Sequence, residues 1–561
     1  MPVKPGLSAS AFMYGILTCA GSWAAAPLTC EELTGLSVPG ASIALPARGA
    51  TVTSARLVSG GGTAPKTFGN YCLVAGDILP VDGSAPPIKF QIAMPEQWNQ
   101  RVLMLGGGGY DGTVPNVAGN IPAGPASLPN PIGRGYVVFG SNSGHEGASN
   151  QGGFGVNDEA LRNFAFEALK KTHDAAMAIV GSHYSVAVKR TYFAGGSTGG
   201  REALTVIQKW PKDFDGAIAL YPAFNAVSLD LQFGRITRAL AGPGAYPGLA
   251  KRKALYDAAM QACDALDGVA DGVISNQAAC NASFNPATAL LNGRPLRCEG
   301  GADTGDDCLS DAQISALRVI ETPVKFNYPL ANGDAQYPGF NVWGTDFGRP
   351  GSGGQAVVNF LGLNNVAPAS PMPAVAVAPQ PGIPYHAGFW DHWVKYFVTR
   401  DPGFDSLTLD PERPGKWAAR ISELSGLQDA TQADLSAFAR RGGKLLMAHG
   451  TADQLVSTRA TEQYYERVRT EMGAAGTRDF LRYFEIPGYN HAVSTTFNAA
   501  WDSLGALEDW VEKGTAPANQ LVFDTAGVPG RSRPLCEYPA WPKYSGSGDV
   551  NAAGSFSCVA P

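Results

Sequence analysis

The chain has 561 residues, of which 45% are hydrophobic and only 16% charged, with a net charge of −6. That balance excludes a disordered chain and a basic nucleic-acid binder, and the length suits a core domain carrying a large insertion. The 69 glycines and 41 prolines predict many turns and long loops.

In chain order, the first element is a secretory leader. Lys4 supplies the positive start, and residues 11–19 form an apolar run too short to span a bilayer. Ser22 and Ala24 provide small residues for cleavage after Ala24, so residues 1–24 are read as leader and the mature chain as secreted or periplasmic, with no membrane span. Cys19 leaves with the leader. Eight cysteines remain, in the sequence-near pairs Cys30 and Cys72, Cys263 and Cys280, Cys298 and Cys308, Cys536 and Cys558. An even count in an exported chain predicts disulfides, although spacing alone leaves their connectivity open. Zinc is the rival reading, but the chain has no C-x-x-C or Cys/His cluster.

Short apolar runs then alternate with helical stretches. Strands are predicted at 101–105, running into four glycines, and at 135–140, 191–194, 216–221, 444–448 and 481–486. Runs of this kind suit buried parallel strands. Between them, 158–183 carries Leu161, Phe164, Leu169, Ala176, Ile179 and Val180 at helical spacing, and 500–513 carries Trp501, Leu504, Leu507 and Trp510. Strands alternating with helices predict an α/β fold. Residues 222–386 break the rhythm with four cysteines, many Gly and Pro and few strand signals. They are read as an inserted domain between core segments 25–221 and 387–561. The tail after about residue 520 is read as a loop pinned by its own cysteine pair.

Candidate chemistry sits where the strands end. Gly195-Gly196-Ser197-Thr198-Gly199 lies between a strand and a helix, the setting that lifts a serine hydroxyl out of a sheet. A serine needs a base, and the base an orienting acid. Asp453 and His491 each follow a strand, in the order nucleophile, acid, base expected of an α/β-hydrolase. His145, His173, His183, His386, His392 and His449 are the competitors for the base; His173 and His183, on the helical stretch before the serine, are read as structural, and His449 as supporting the acid loop. Oxyanion donors are expected from the N–H of Thr198 and from the glycine run 106–109, with Gly108 as the chosen donor. In the insertion, Asp264, Asp267 and Asp271 crowd a glycine-relieved loop beside Cys263. Hard oxygens at this spacing suit Ca²⁺, with Val269 and Val273 adding backbone carbonyls; an acidic surface turn is the alternative.

On these residues the chain resembles the tannase and feruloyl esterase family, which includes the hydrolase of mono(hydroxyethyl) terephthalate. The matching pieces are 195–201, 449–453, 488–491, the glycine run, the Asp loop and 392–402. The resemblance implies an α/β-hydrolase core with a lid inserted between nucleophile and acid, a structural calcium ion in the lid, and hydrolysis of aromatic or hydroxycinnamic esters through an acyl-enzyme. The family bridges the residue before the serine to the residue after the histidine. Those positions here are Gly196 and Ala492, which implies a variant lacking the active-site disulfide, with its other cysteines matching the family's remaining bridges. The backbones at 196 and 492 are still expected within disulfide range. Trp343, Phe389 and Trp390 are candidates for the acyl pocket or, alternatively, lid core. The competing functions are an esterase for aliphatic or polymeric esters and a non-catalytic binding protein on the same scaffold. The substrate is a small molecule, and sequence leaves the oligomeric state open.

Overall fold

The predicted apolar runs lie side by side in one ten-stranded sheet. The computed structural model describes residues 1–3, 26–64, 66–349, 361–378 and 380–561; the leader reading lies outside these residues, apart from 1–3. The strands are β1 (Ser37–Val38), β2 (Ala50–Val58), β3 (Tyr71–Ile78), β4 (Ile88–Pro95), β5 (Arg101–Leu105), β6 (Val137–Ser141), β7 (Arg190–Gly196), β8 (Gly216–Leu220), β9 (Lys444–Gly450) and β10 (Leu481–Ile486). Their spatial order is β1-β2-β3-β4-β6-β5-β7-β8-β9-β10. Strands β6, β5, β7, β8, β9 and β10 pair in parallel, while β1 to β4 join the β6 edge antiparallel. This is the α/β-hydrolase sheet.

Continuous apolar strands need cover on both faces, and their side chains alternate between two cores. Val102, Met104, Phe193, Ala217 and Met447 face one core, joined by residues of α1 (Ala168–His183) and α2 (Thr198–Lys209). Leu103, Tyr192, Ile218 and Leu446 face the other. There a C-terminal helix, Ser503–Lys513, lays down Leu504, Leu507 and Trp510. The sequence placed the start of that helix three residues early.

Residues 222–386 contribute no strand to the main sheet among the described residues. Their main helices are α3 (Ala226–Leu240), α4 (Leu249–Cys263) and α5 (Asp311–Glu321), with only two-residue strands between them, and α6 (Tyr385–His392) leads back into the core. Further on lie α7 (Ala418–Gln428) and α8 (Thr458–Met472). Two sequence readings need correcting. The tail is not a plain loop: Leu521–Asp524 pairs with Ser532–Pro534, and Trp541–Tyr544 with Phe556–Val559. Its alternating exposed residues hid these strands. The reading of a variant lacking a disulfide is also set against four bridges that are present. Bridges join Cys30 to Cys72, Cys263 to Cys280, Cys298 to Cys308, and Cys536 to Cys558. What differs is confined to positions 196 and 492, which are Gly and Ala.

Candidate active site

Ser197 sits on the turn from β7 into α2 with φ 60° and ψ −123°. A side chain pays for such a backbone only where the surroundings enforce it. They do so through close backbone approach. A Cβ at Gly195 would lie 2.3 Å from the Gly199 carbonyl oxygen, and one at Gly199 would lie 2.8 Å from that of Gly107. The Ser197 N–H donates to Leu220 O (3.0 Å), and its carbonyl accepts from the Ala223 N–H (3.0 Å).

The loops after β9 and β10 bring the acid and base to this serine. His491 Nε2 lies 2.9 Å from Ser197 Oγ, and His491 Nδ1 lies 2.8 Å from Asp453 Oδ2. The carboxylate fixes the proton on Nδ1, which leaves Nε2 to accept the serine proton. Asp453 is 1% exposed, and its Oδ1 accepts the N–H groups of Leu455 and Val456. His449 is fully buried behind it. Its Nε2 meets two acceptors, Asp453 Oδ2 and the Val456 carbonyl (both 3.1 Å), so Nε2–H is the donor. Burial would raise the Asp453 carboxyl, but the charge of His491 and the bond from His449 more than offset that and hold it below the usual range. Of the remaining histidines, His392 Nδ1 accepts the Gly152 N–H, and burial drives His386 and His145 down to about 3 and 4.

The glycine run packs against the elbow. Thr198 Oγ1 donates to Gly109 O (2.6 Å), and Glu202 Oε2 accepts the Gly107 N–H (2.9 Å). The glycine in the cavity wall beside Ser197 and Thr198 is Gly109, not Gly108. Gly108 lies one residue back, its carbonyl accepting from the Asp111 N–H. Beneath the run, burial pushes Asp111 up to about 6, and burial plus the Asp111 charge raises Glu202. This acid pair was not found from sequence.

A narrow cavity of about 50 Å³ opens from Ser197 and His491. Tyr110, Phe164, Phe233 and Phe389 wall it, with Asp230 and Gln428 among its polar residues. Of the three aromatics proposed from sequence, Phe389 lines the cavity. Trp343 and Trp390 are fully buried elsewhere, their indole N–H groups donating to Glu321 and the Ser406 carbonyl.

Tyr221 occupies the space beneath the triad. A Cβ at Gly196 would lie 2.6 Å from its ring, which meets His491 edge-on at 4.9 Å. The Tyr489 hydroxyl donates to the Ala492 carbonyl (2.8 Å).

In the acidic loop, Asp264 accepts backbone N–H groups of Asp271, Gly272 and Val273. Asp271 pairs with Arg533, and Asp267 accepts the Val269 N–H. No group of three His, Cys, Asp or Glu side chains converges tightly enough to hold a metal ion among the described residues. The donor chemistry nevertheless fits a hard cation. Asp267 is fully buried, and its Oδ2 has no hydrogen-bond partner. Burial pushes Asp267 up to about 6, with Asp271 and Asp264 adding to the rise, so the loop has an excess of negative charge.

Residues 72–559 match the family described as tannase and feruloyl esterase. An uncharacterized esterase of Agrobacterium fabrum is 38% identical over 541 residues, covering 94% of this chain and 93% of that protein. The mono(2-hydroxyethyl) terephthalate hydrolase of Piscinibacter sakaiensis is 32% identical over 550 residues, covering 88% and 85%. Among solved structures, an esterase from Aspergillus oryzae superposes with a TM-score of 0.72 at 25% identity, covering 95% of this chain and all of that one.

Proposed function

The chain belongs to the tannase and feruloyl esterase family and is a carboxylic ester hydrolase, and from that premise we propose that it cleaves esters of aromatic or hydroxycinnamic acids through an acyl-enzyme on Ser197. The observation that carries this is the Ser197–His491–Asp453 chain of contacts, at 2.9 and 2.8 Å, opening into an aromatic-walled cavity. His491 Nε2 takes the Ser197 proton as Oγ attacks the ester carbonyl carbon. The developing oxyanion is met by the N–H of Thr198 and by the glycine run, at Gly108 or Gly109. His491 then passes its proton to the departing alkoxide, leaving the acyl group on Oγ. Water, activated by the same imidazole, releases the acid. Asp453 holds the tautomer and stabilises the imidazolium, and His449 holds Asp453. The lid reading of 222–386 fits this scheme, since α3 supplies Leu229 and Phe233 to the cavity, and Phe389 follows from the start of the second core segment. Four disulfides suit the proposed secreted or periplasmic location.

A panel of methyl ferulate, methyl gallate, a terephthalate monoester and short p-nitrophenyl esters tests the substrate class. Turnover of the aromatic acids is expected to exceed that of short aliphatic esters in kcat/KM. The reverse order would favour the aliphatic alternative, and no turnover at all would favour a binding protein.

We also propose that the acidic loop takes one structural Ca²⁺ on Asp264, Asp267 and Asp271, with the carbonyls of Val269 and Val273. The ion would neutralise carboxylates that otherwise repel. Removing calcium with a chelator is expected to lower Tm by several degrees, because an ion bound only to the native state stabilises it by mass action. An unchanged Tm, with no calcium found by elemental analysis of the untreated protein, would reduce the loop to an acidic turn.

A further inference from the structure

Two unpaired polar groups stand on the wall of the cavity that the mechanism does not use. The first is Asp230 on α3, between Leu229 and Leu231. It is 5% exposed and makes no side-chain hydrogen bond or ion pair with any described residue. The second is the side-chain amide nitrogen of Gln428, buried and without a partner. A buried polar group left unpaired is costly, and two of them on residues of one cavity wall call for a partner that the protein itself does not supply.

Of the other polar groups there, the Tyr110 hydroxyl donates to the Phe389 carbonyl and Arg201 is committed to backbone. The Arg201 guanidinium donates to the carbonyls of Phe164, Ala165 and Gln428 and lies 4.7 Å over the Phe164 ring.

Resting on the aromatic-ester reading, we propose that Asp230 determines acyl specificity: its carboxyl group, together with the Gln428 amide, hydrogen-bonds a phenolic hydroxyl on the ring of the acyl group.

The chemistry favours a hydroxyl over the alternatives. Burial, and then the charge of Asp429, pushes Asp230 well above the usual carboxylate range, against the opposing pull of Arg201. The same burial favours the protonated acid, a form that both donates and accepts. A phenol also does both, so it can receive the acid proton or the amide N–H and donate to the acid carbonyl. A ring carboxylate only accepts, so it would leave the acid carbonyl without a donor, and it would bury a charge where the Arg201 guanidinium on the wall is already bonded to three backbone carbonyls. An unsubstituted ring would leave the acid and the amide unpaired, as they are without substrate, and would gain nothing from them. The discrimination expected from one such pairing is roughly ten- to hundredfold.

The test compares kcat/KM for methyl 4-hydroxycinnamate, methyl cinnamate and methyl 4-carboxycinnamate. Wild type is expected to prefer the hydroxylated ester over both others by about tenfold or more. Asp230→Leu, close in size and apolar, should bring the hydroxylated and plain esters to within about twofold of each other. Asp230→Asn, which keeps a donor and an acceptor, should retain part of the preference. Melting temperatures establish that each variant is folded; should the Leu variant not fold, a fall in the ratio for the Asn variant is the deciding result. The proposal is overturned if wild type cleaves the plain ester as well as the hydroxylated one, if it prefers the carboxylated ester, or if the folded Leu variant keeps the wild-type ratio. If wild type cleaves p-nitrophenyl acetate but none of the three cinnamates, the aromatic-ester reading itself falls, and the role of Asp230 with it.

Discussion

The centre of the sheet and its surroundings are secured in different ways. The six parallel strands that carry the serine, acid and base contain no cysteine. Their residues are held by interdigitated side chains on two faces and by hydrogen bonds through His449, Tyr489 and the glycine run. The bridges lie elsewhere. One ties the N-terminal segment to β3, two staple the insertion, and one closes the tail. A continuous apolar strand buried on both sides needs no cross-link, because displacing it would expose both cores. The insertion, built from helices and long loops, lacks that support, and short covalent loops reduce the freedom of its unfolded state. The seam between the two regions is polar. Asp429, just past α7, accepts from the Val227 N–H on α3 and from Asn332 Nδ2, while Asp334 in the insertion accepts from Arg467 on α8.

The sharpest way to probe the centre is through its chemistry. Ser197→Ala is expected to lower kcat on the best ester by about 10⁴- to 10⁶-fold with little change in Tm, and His491→Ala by a similar factor. Asp453→Ala should cost less, on the order of 10³- to 10⁴-fold, because His491 keeps its place against Tyr221. The readout is single-turnover acylation on folded variants. Residual turnover above a hundredth of wild type in Ser197→Ala would remove it from the nucleophile role.

Much of this centre was legible in the sequence. β5 and β10 have the predicted limits because an uninterrupted apolar run, ended by glycine or proline, is a strong strand signal. The order of serine, acid and base was readable because each follows such a run. The edge was not. β2 mixes Thr51, Thr53, Ser54 and Arg56 among its apolar residues and is exposed over much of its length, so no run announces it. Asp230 was missed for a different reason. A lone acid among Val227, Leu229 and Leu231 conflicts with burial, and only the cavity shows why the conflict is kept. Nothing local to Tyr221 signals that its ring fills the space under Ser197. Four identical glycines in a row carry no positional information, so the sequence could not say that Gly109 is the one in the cavity wall.

The polar seam predicts a smaller, pH-dependent effect. Burial pushes Asp429 up to about 8, with Asp334 adding to the rise. An acid raised in the folded state keeps a proton there that the unfolded chain releases near pH 4. Folding then takes up a proton, so this group's contribution becomes less favourable as pH rises from about 4 to about 8 and levels off above that. Asp429→Asn removes that slope. The Tm of the variant minus that of wild type is therefore expected to grow more positive, by a few degrees, between pH 5 and pH 8. Parallel melting profiles across this range would show that Asp429 is not held protonated and that the seam is an ordinary ionic contact.

The smallest effect is expected where the resemblance to the family invites the largest. A cysteine pair at positions 196 and 492 would close a loop of nearly three hundred residues, for which chain entropy predicts roughly 5 kcal/mol. Here the space is taken. A Cβ at position 196 would meet the Tyr221 ring at 2.6 Å. Ala492 has a φ of +62°, a conformation that side chains rarely adopt. The Gly196→Cys, Ala492→Cys double variant is therefore expected to show two free thiols by thiol counting and intact mass, with no gain in Tm. Adding Tyr221→Ala opens the space, and the triple variant should oxidise. Its net gain would stay small, because removing a buried tyrosine costs about 3–5 kcal/mol, by analogy with other large aromatic side chains. On this view an aromatic ring packed against His491 takes the place that a covalent tie at these two positions would need. Quantitative oxidation of the double variant with Tyr221 in place, accompanied by a higher Tm, would show that the ring moves aside easily and that the two solutions are not alternatives for one site.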